Sequence, residues 1–292
     1  MRVAVVGLGG VGGYIGASLA KTSHDVVGFA RGEHLKNIQE NGLEIVEDTK
    51  KWSVDIEAHT LDEAEGYFDV VLFCVKSYDL ADSYKALEPF IDEKSILLSF
   101  SNGVSNAELL KRLSKSIVLD ACVYILSHIQ QPGVVRKKGK VFAAVFGGDS
   151  CASIVIQALF ESAELRVKTP ENIEKALWKK YIFIAAFATL TSYYDKSIGY
   201  VMEHHYDEAK ETLQEIARVA KAKEINIEEE VQKSLEVAKG LPYDASTSMH
   251  LDFQNKCQTE LESLSGYIVH EAITCGVEVP HIKKMYEKLS LN

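Results

Sequence analysis

Three glycines near the start of the chain have a spacing suited to phosphate binding, Gly7-x-Gly9-x-x-Gly12. They stand between an apolar run, Val3 to Val6, and an apolar segment, Tyr14 to Leu19, an order that predicts strand, tight turn and helix. Gly7 permits the turn, Gly9 lets backbone amides approach a pyrophosphate, and Gly12 lets the helix pack closely on the strand. The helix N-terminus adds unpaired N–H groups and partial positive charge. The predicted cofactor-binding residues are Gly7, Leu8, Gly9, Gly10, Val11 and Gly12. A glycine turn that only packs helix on strand is the alternative.

The end of the second predicted strand, Asp25 to Phe29, indicates which dinucleotide binds. An acidic residue there would accept hydrogen bonds from a ribose 2′-hydroxyl, whereas an arginine suits a 2′-phosphate. The residue present is Arg31, and a guanidinium forms bidentate, charge-assisted bonds with phosphate. We therefore predict NADPH/NADP+ rather than NAD. The alternative for Arg31 is an ordinary solvated loop arginine.

Polar side chains follow two further predicted strands. Lys76 closes the apolar run that begins at Asp69, and Asn102 follows the run Ser95 to Phe100. Ligands of open α/β sheets bind beyond the carboxyl ends of the strands, so we expect Lys76 and Asn102 to line the cofactor and substrate. A solvated strand end and a simple Asn-Gly turn are the alternatives.

A predicted helix after Pro170 contains Trp178-Lys179-Lys180 directly before a long apolar run. A lysine at the edge of such a run is partly desolvated, which lowers the pKa of its ammonium and suits it to proton transfer. Consecutive helical residues point about 100° apart, so only one of the two lysines is expected to face inward. Two solvated lysines are the alternative that local sequence favours.

Later in the chain, Ser248 has a hydroxyl suited to binding a carboxylate, and Glu260 could orient a lysine or a hydroxyl. A solvated helix face is the alternative for Glu260. Adjacent histidines, His204 and His205, follow Glu203 but cannot share a helix face, and no HExxH spacing occurs. We therefore predict no metal site.

These residues require two kinds of domain to position them. Strands and helices alternate to about residue 168, whereas every long segment after Pro170 is helical. The predicted fold class is therefore α/β, a Rossmann-type doubly wound sheet (1–168, binding NADP) followed by an all-α domain (169–292, for substrate and dimerisation). Among the expected elements are a hairpin and two long helices: strands Val134–Arg136 and Val141–Phe146 around Lys137–Lys140, and helices Val201–Ala222 and Asp252–Cys275.

Composition excludes several classes of function. The net charge of −10 repels phosphate backbones, so nucleic acid is not an expected partner. The longest apolar stretch, Tyr181 to Leu190, is about half of a membrane span, and we expect no signal peptide before the first strand. Five cysteines without CxxC spacing are typical of a reduced, cytoplasmic protein.

Together these pieces resemble the ketopantoate reductase (2-dehydropantoate 2-reductase) family over nearly the whole chain. The resemblance rests on the order and spacing of short motifs: the glycine motif, Val75-Lys76, Ser101-Asn102-Gly103, Pro132-Gly133-Val134 leading to Gly139, Trp178-Lys179-Lys180, Ser248-Met249 and Glu260. It implies NADPH-dependent reduction of a small 2-oxo acid. By that resemblance Lys180 is the general acid and Glu260 binds the substrate hydroxyl. Ser248 contacts the substrate carboxylate, and Lys76 and Asn102 lie at the nicotinamide edge. The helical domain is also expected to supply a surface for self-association as a homodimer.

The sequence departs from the family at two positions. Asparagines normally stand four and eight residues after the lysine, but here those residues are Ile184 and Ala188. A site that loses polar partners loses discrimination for a substrate hydroxyl. The expected reaction is reduction of 2-dehydropantoate to (R)-pantoate in pantothenate and coenzyme A biosynthesis. The alternatives are a related NAD(P)H-dependent 2-oxo acid reductase (a D-2-hydroxy acid dehydrogenase) with a more apolar substrate, and a non-catalytic NADP-binding protein.

Overall fold

The computed structural model describes residues 1–291 of the chain, which fold into two compact units. The first unit comprises Met1–Ser101 and Ser105–Ile173. The second comprises Asn102–Val104 and the residues from Glu174 onward. The boundary predicted at residues 168 and 169 lies shortly before Ile173, and the division of function between two domains stays a prediction.

The first unit is built on one mixed sheet. Its ten strands are β1 Arg2–Val6, β2 Asp25–Phe29, β3 Leu43–Val46, β4 Lys51–Val54, β5 Glu57–His59, β6 Val70–Phe73, β7 Ile96–Ser99, β8 Ile117–Gln131, β9 Val134–Gly147 and β10 Val167–Lys168. The order is β4-β3-β9-β8-β7-β6-β1-β2-β5, with β10 paired to β9. From β5 to β8 all neighbours are parallel. Because the strand order reverses between β1 and β6, the ends of these two strands form the switch point of the sheet.

Helices cover both faces of this sheet. They are α1 Gly10–Leu19, α2 Gly32–Asn41, α3 Leu80–Leu87, α4 Asn106–Leu113 and α5 Ser150–Ser162. Successive strand residues point to opposite faces: Val3 and Val5 join a core with α1, α2 and α5, and Ala4 and Val6 join a second core with α3 and α4. All four side chains are fully buried. The predicted α/β doubly wound class is confirmed.

The predicted hairpin across Lys137–Lys140 is wrong. Residues 134–147 form one strand, and the hairpin joins β8 to β9 through Gly133. The pairing jumps from Ile125 with Phe142 to Leu126 with Lys138, so residues 139–141 form a bulge within β9. Gly139, at φ +66°, accommodates the bend, and its N–H donates to Asp48 at 2.8 Å. The short strand β5 was not predicted.

The second unit is helical. Its helices are α6 Ile173–Tyr194, α7 Ile198–His204, α8 Tyr206–Ala222, α9 Glu229–Gly240, α10 Ser248–Gln254, α11 Tyr267–Cys275 and α12 Pro280–Leu289. The single helix predicted from Val201 to Ala222 is wrong, because His205 has non-helical dihedrals between α7 and α8. Its ring stacks on Tyr194, with 3.7 Å between centroids. Among residues 1–291, none of the helices combines the length and apolar composition needed to cross a bilayer.

The helix predicted from Asp252 to Cys275 is also interrupted. Helix α10 begins earlier, at Ser248, because the Thr247 side chain caps it. It ends at Gln254, and Lys256 has a left-handed φ of +54°, which stops a helix. One π-helical turn, Glu262–Gly266, then leads into α11.

The imidazole of His34 ties the glycine turn to the β8–β9 turn. Gly133 donates its N–H to Nδ1 at 3.0 Å, so the ring proton is on Nε2, which donates to the Leu8 carbonyl at 2.8 Å. Burial lowers the pKa of His34 below its ordinary 6.5. The neutral ring is therefore the form that holds both loops.

We predict that His34 makes the stability of the first unit depend on pH. As pH falls below 6.5, the unfolded chain binds a proton at His34 before the folded protein does. The free energy of unfolding therefore decreases as the pH approaches the lowered pKa of His34 in the folded protein. Urea unfolding followed by Trp52 fluorescence in a Trp178→Phe background should show this loss. In His34→Gln, which cannot titrate, the slope between about pH 5 and about pH 6.5 should be shallower. His24, whose pKa burial also lowers, is present in both proteins. Identical slopes would exclude His34.

Candidate functional site

The glycine turn of the first unit is held to the end of β2. Gly7 has a φ of +93°, a conformation that side chains rarely adopt. The N–H groups of Gly7 and Leu8 both donate to the carbonyl of Phe29, at 2.9 and 3.0 Å. The turn therefore has a defined conformation set by glycine and by backbone hydrogen bonds.

Gly9 and Gly12 differ in what surrounds them. A Cβ on Gly12 would lie 2.1 Å from the carbonyl oxygen of Gly7 and 2.7 Å from Cβ of Cys74. A Cβ on Gly9 would meet no atom within 4 Å. Gly12 is therefore required by packing of α1 on the sheet, whereas the fold itself places no such demand on Gly9.

The start of α1 suits an anion. Its cap residue, Gly9, has no side chain that could occupy the N–H groups of the first turn, and that turn contains no acidic residue. The first N–H groups of a helix lack intrahelical partners. In α1, the first intrahelical hydrogen bond runs from the Gly13 N–H to the Gly9 carbonyl, at 2.8 Å. Together with the open surroundings of Gly9, these groups fit the pyrophosphate of a dinucleotide.

Lys76 and Arg31 lie near the same edge of the sheet. Lys76 follows β6, whose neighbour in the switch point is β1, and the preceding Cys74 packs against Gly12. Arg31 directly precedes α2, and its Nη2 is 3.4 Å from Oδ2 of Asp79. The Arg31 side chain is 86% exposed, so this ion pair leaves most of the guanidinium accessible.

In the second unit, three predicted site residues form a hydrogen-bonded chain. Lys180 Nζ donates to Asn102 Oδ1 at 3.5 Å, and Asn102 Nδ2 donates to Glu260 Oε2 at 3.4 Å. Both bonds are long. Glu260 is 2% exposed, while Lys180 and Asn102 are half-buried. Residues separated by more than 150 positions in sequence are thus brought together by folding.

Tyr181, which sequence analysis missed, connects the lysine helix to the glutamate segment. Its hydroxyl donates to the Leu264 carbonyl at 2.5 Å, within the π-helical turn that follows Glu260. Burial raises the pKa of Tyr181 well above its ordinary value, so the hydroxyl stays protonated and remains a donor. A tyrosine beside the lysine was the only signal in the sequence, and it resembled an ordinary core residue.

The neighbouring Lys179 points elsewhere. Its ammonium lies 3.1 Å from Glu229 and 3.3 Å from Glu230 on α9. The hydrogen bond to Glu229, together with these charges, raises the pKa of Lys179. Of the two lysines, Lys180 is the one that joins the chain with Asn102 and Glu260.

The remaining predicted residues lie on α6 and α10. Ser248 is the exposed first residue of α10. Ile184 is partly buried against the helical core, whereas Ala188 is 1% exposed within that core. Of the two positions that depart from the family pattern, Ile184 therefore has more surface available to a ligand. Within residues 1–291, no three His, Cys, Asp or Glu side chains are grouped to hold a metal ion.

A Rossmann-type unit with a glycine turn, followed by a helical unit with a lysine, amide and carboxylate chain, is the arrangement expected of a dinucleotide-dependent oxidoreductase. Residues 3–147 match the family model of ketopantoate reductase PanE/ApbA, and residues 172–291 match its C-terminal model. The chain belongs to this family, whose members are reductases that use a nicotinamide cofactor and act on small keto acids.

Individual relatives agree over the full length. An uncharacterized oxidoreductase, YkpB of Bacillus subtilis, is 29% identical, covering 100% of this chain and 98% of the relative. The 2-dehydropantoate 2-reductase of Halobacterium salinarum is 27% identical over the same shares. The crystal structure of a PanE/ApbA family ketopantoate reductase from Ralstonia eutropha is 30% identical, with a TM-score of 0.92 and coverage of 100% and 98%.

We predict that two glycine substitutions in the turn affect different properties, one the stability of the fold and the other the binding of the cofactor. Gly12→Ala should lower Tm by roughly 5 °C or more, because its Cβ would overlap the Gly7 carbonyl. Gly9→Ala should leave Tm within about 1 °C of the parent but raise the Kd for NADPH about tenfold or more, because the new methyl group intrudes where the pyrophosphate approaches. Thermal melts and calorimetric titration test both. A normal cofactor affinity in Gly9→Ala would place the dinucleotide elsewhere.

Proposed function

We propose that this protein is an NADPH-dependent reductase that converts 2-dehydropantoate to (R)-pantoate, in pantothenate and coenzyme A biosynthesis. The observation that carries the proposal is the hydrogen-bonded chain Lys180, Asn102 and Glu260. The relative from Halobacterium salinarum is named 2-dehydropantoate 2-reductase. We place the reaction in the cytoplasm, since all five cysteines are free.

In this proposal Lys180 is the general acid. The chemistry that a bound nicotinamide would supply is a hydride for the carbonyl carbon of the 2-oxo acid, which would leave negative charge on the carbonyl oxygen. The Lys180 ammonium stabilises that charge and transfers its proton to the oxygen. Asn102 Oδ1 accepts from Lys180 and so restricts where the ammonium points.

Glu260 has two roles in the proposed mechanism. Its carboxylate fixes the other end of the Asn102 amide, and it binds the substrate hydroxyl. Ser248 binds the substrate carboxylate. Because Glu260 is almost completely buried, its charge acts on its neighbours with little screening by solvent.

The cofactor assignment rests on the first unit. The glycine turn and the N–H groups of α1 bind the pyrophosphate, and Lys76 lies beyond β6 at the switch point. Arg31, largely exposed, is available to pair with the 2′-phosphate that distinguishes NADPH from NADH.

One observation favours a second candidate, a reductase for a more apolar 2-oxo acid. Position 184 presents an isoleucine side chain where an amide would bind a polar substituent. An apolar contact cannot replace a hydrogen bond to a substrate hydroxyl, but it suits an alkyl or aromatic substituent. The same lysine chemistry would serve this substrate.

Steady-state NADPH oxidation with a panel of 2-oxo acids separates these candidates. The proposal expects 2-dehydropantoate to have the highest kcat/KM, and the second candidate expects an apolar 2-oxo acid to exceed it. Ile184→Asn should shift the ratio of the two towards 2-dehydropantoate by about tenfold, through a restored polar contact. NADPH binding without turnover of any 2-oxo acid would instead support a non-catalytic NADP-binding protein.

Adjacent lysines provide a matched pair of variants. We predict that Lys180→Ala lowers kcat by a factor of about 10² or more, because the proton donor is lost. Lys179→Ala removes the same charge from the same helix and breaks only the pairs with Glu229 and Glu230. It should keep kcat within about twofold of the parent. Equal kcat values for the two variants would remove Lys180 from the mechanism.

Arg31→Ala should weaken NADPH far more than NADH. We expect the KM for NADPH to rise by about tenfold or more and the KM for NADH to change by less than about threefold. Lys36→Ala, at an exposed position of the same helix α2, is the matched charge control and should affect the two cofactors alike. Parallel losses in Arg31→Ala would count against recognition of a 2′-phosphate.

A further inference from the structure

A buried histidine links α10 to the end of α6. His250, 4% exposed, has its Nε2 2.8 Å from Oδ1 of Asp195 and its Nδ1 2.7 Å from Oγ of Ser246. Gln254 also donates to Asp195, at 3.0 Å. These two hydrogen bonds lower the pKa of Asp195, and the bond from His250 has the larger effect. Since an ionised carboxylate only accepts, Nε2 donates to Asp195, and in the neutral ring Nδ1 accepts from Ser246.

Asp195 itself adopts a left-handed backbone conformation, which places its side chain for this contact. It follows the last residue of α6, Tyr194, with a φ of +52°. Aspartate tolerates this region better than most residues. The chain therefore ends α6 in a way that directs the carboxylate towards α10.

A second contact fixes the same turn. Thr191, fully buried on α6, has its Oγ1 2.8 Å from Oγ1 of Thr247, the cap residue of α10, and donates to the Phe187 carbonyl at 2.7 Å. Met249 is fully buried in the helical core. Ser248 is thus the exposed residue between two neighbours that are both anchored.

These anchors determine where α10 lies. A helix of seven residues is marginal by itself, because its nucleation cost exceeds what so few backbone bonds return. Thr191 follows Lys180 by eleven positions, which at about 100° per residue places both on nearly the same face of α6. The first turn of α10 is therefore attached to the face of α6 that carries Lys180.

We propose that His250, held between Asp195 and Ser246, is a positioning residue that fixes the first turn of α10 and directs the Ser248 hydroxyl to the carboxylate of the 2-oxo acid. The inference rests on the proposed function. Removing the imidazole leaves α10 bound to Asp195 only through Gln254, at the end of the helix distant from Ser248. The first turn of α10 is then less restrained, and Ser248 can move away from the carboxylate. Substrate binding is weakened, while proton transfer from Lys180 is preserved.

Kinetics of His250→Leu test this. The KM for the 2-oxo acid should rise about tenfold, with kcat within about twofold and the KM for NADPH unchanged. His250→Gln, whose amide N–H can reach Asp195, should restore most of the affinity. His281→Leu is the matched control, since it breaks another histidine–carboxylate contact of this unit, 2.8 Å to Glu215, and should leave the KM unchanged. A fall in kcat with unchanged KM overturns the proposal.

A double-mutant cycle with Ser248→Ala shows whether His250 acts through the serine. In the Ser248→Ala background, His250→Leu should cause no further rise in KM, because there is no hydroxyl left to direct. Independent, multiplying effects overturn the positioning role and leave the reductase intact. A parent protein that turns over no 2-oxo acid overturns both. Ser246→Ala, which removes only the bond to Nδ1, gives the same cycle if His250→Leu is too unstable to assay.

Discussion

The burial of the Glu260 carboxylate is the constraint on which the proposed site depends. A carboxylate removed from water is costly unless hydrogen-bond donors and opposite charge compensate it. Asn102 donates to Glu260 and accepts from Lys180, so one amide connects the negative and the positive group. The polarity of an amide determines this arrangement, because its nitrogen faces the carboxylate and its oxygen faces the ammonium.

Helix α6 organises the second unit around this chain. Lys180 projects from it towards Asn102, and the next residue, Tyr181, bonds the π-helical turn beyond Glu260. Near its other end, Thr189 contacts Ser265 of that turn at 2.7 Å, and Thr191 contacts the cap of α10. A π-helical turn shifts the register of backbone bonds and often occurs at functional sites. One rigid helix therefore positions both the glutamate segment and the serine segment.

The first unit depends on a different constraint, which is that α1 must pack closely on the sheet. Gly12 permits that approach, and Gly7 supplies the left-handed turn before it. The neutral imidazole of His34 then donates to the Leu8 carbonyl and accepts from the Gly133 amide, which joins the two loops. Because packing occupies the surroundings of Gly12 but not those of Gly9, the three glycines of the motif have distinct physical roles.

The amino-acid sequence by itself determined the periodic parts of this protein. Apolar runs such as Val3 to Val6, the glycine spacing and the change after Pro170 are local patterns, so they predicted the α/β class and the helical second unit. The order and spacing of short motifs along the chain predicted the family. Local patterns failed at two points. Non-helical dihedrals at His205, whose ring stacks on Tyr194, separate α7 from α8, and Gly139 lies in a bulge where a turn was expected.

Only the tertiary structure decided which candidate side chains meet. Lys179 and Lys180 are equivalent in local sequence, but one pairs with α9 and the other with Asn102. The contacts of His250 with Asp195 and of Tyr181 with Leu264 join residues far apart in the chain. No periodicity encodes such contacts, because they depend on how helices pack in three dimensions and on which buried polar atoms need partners.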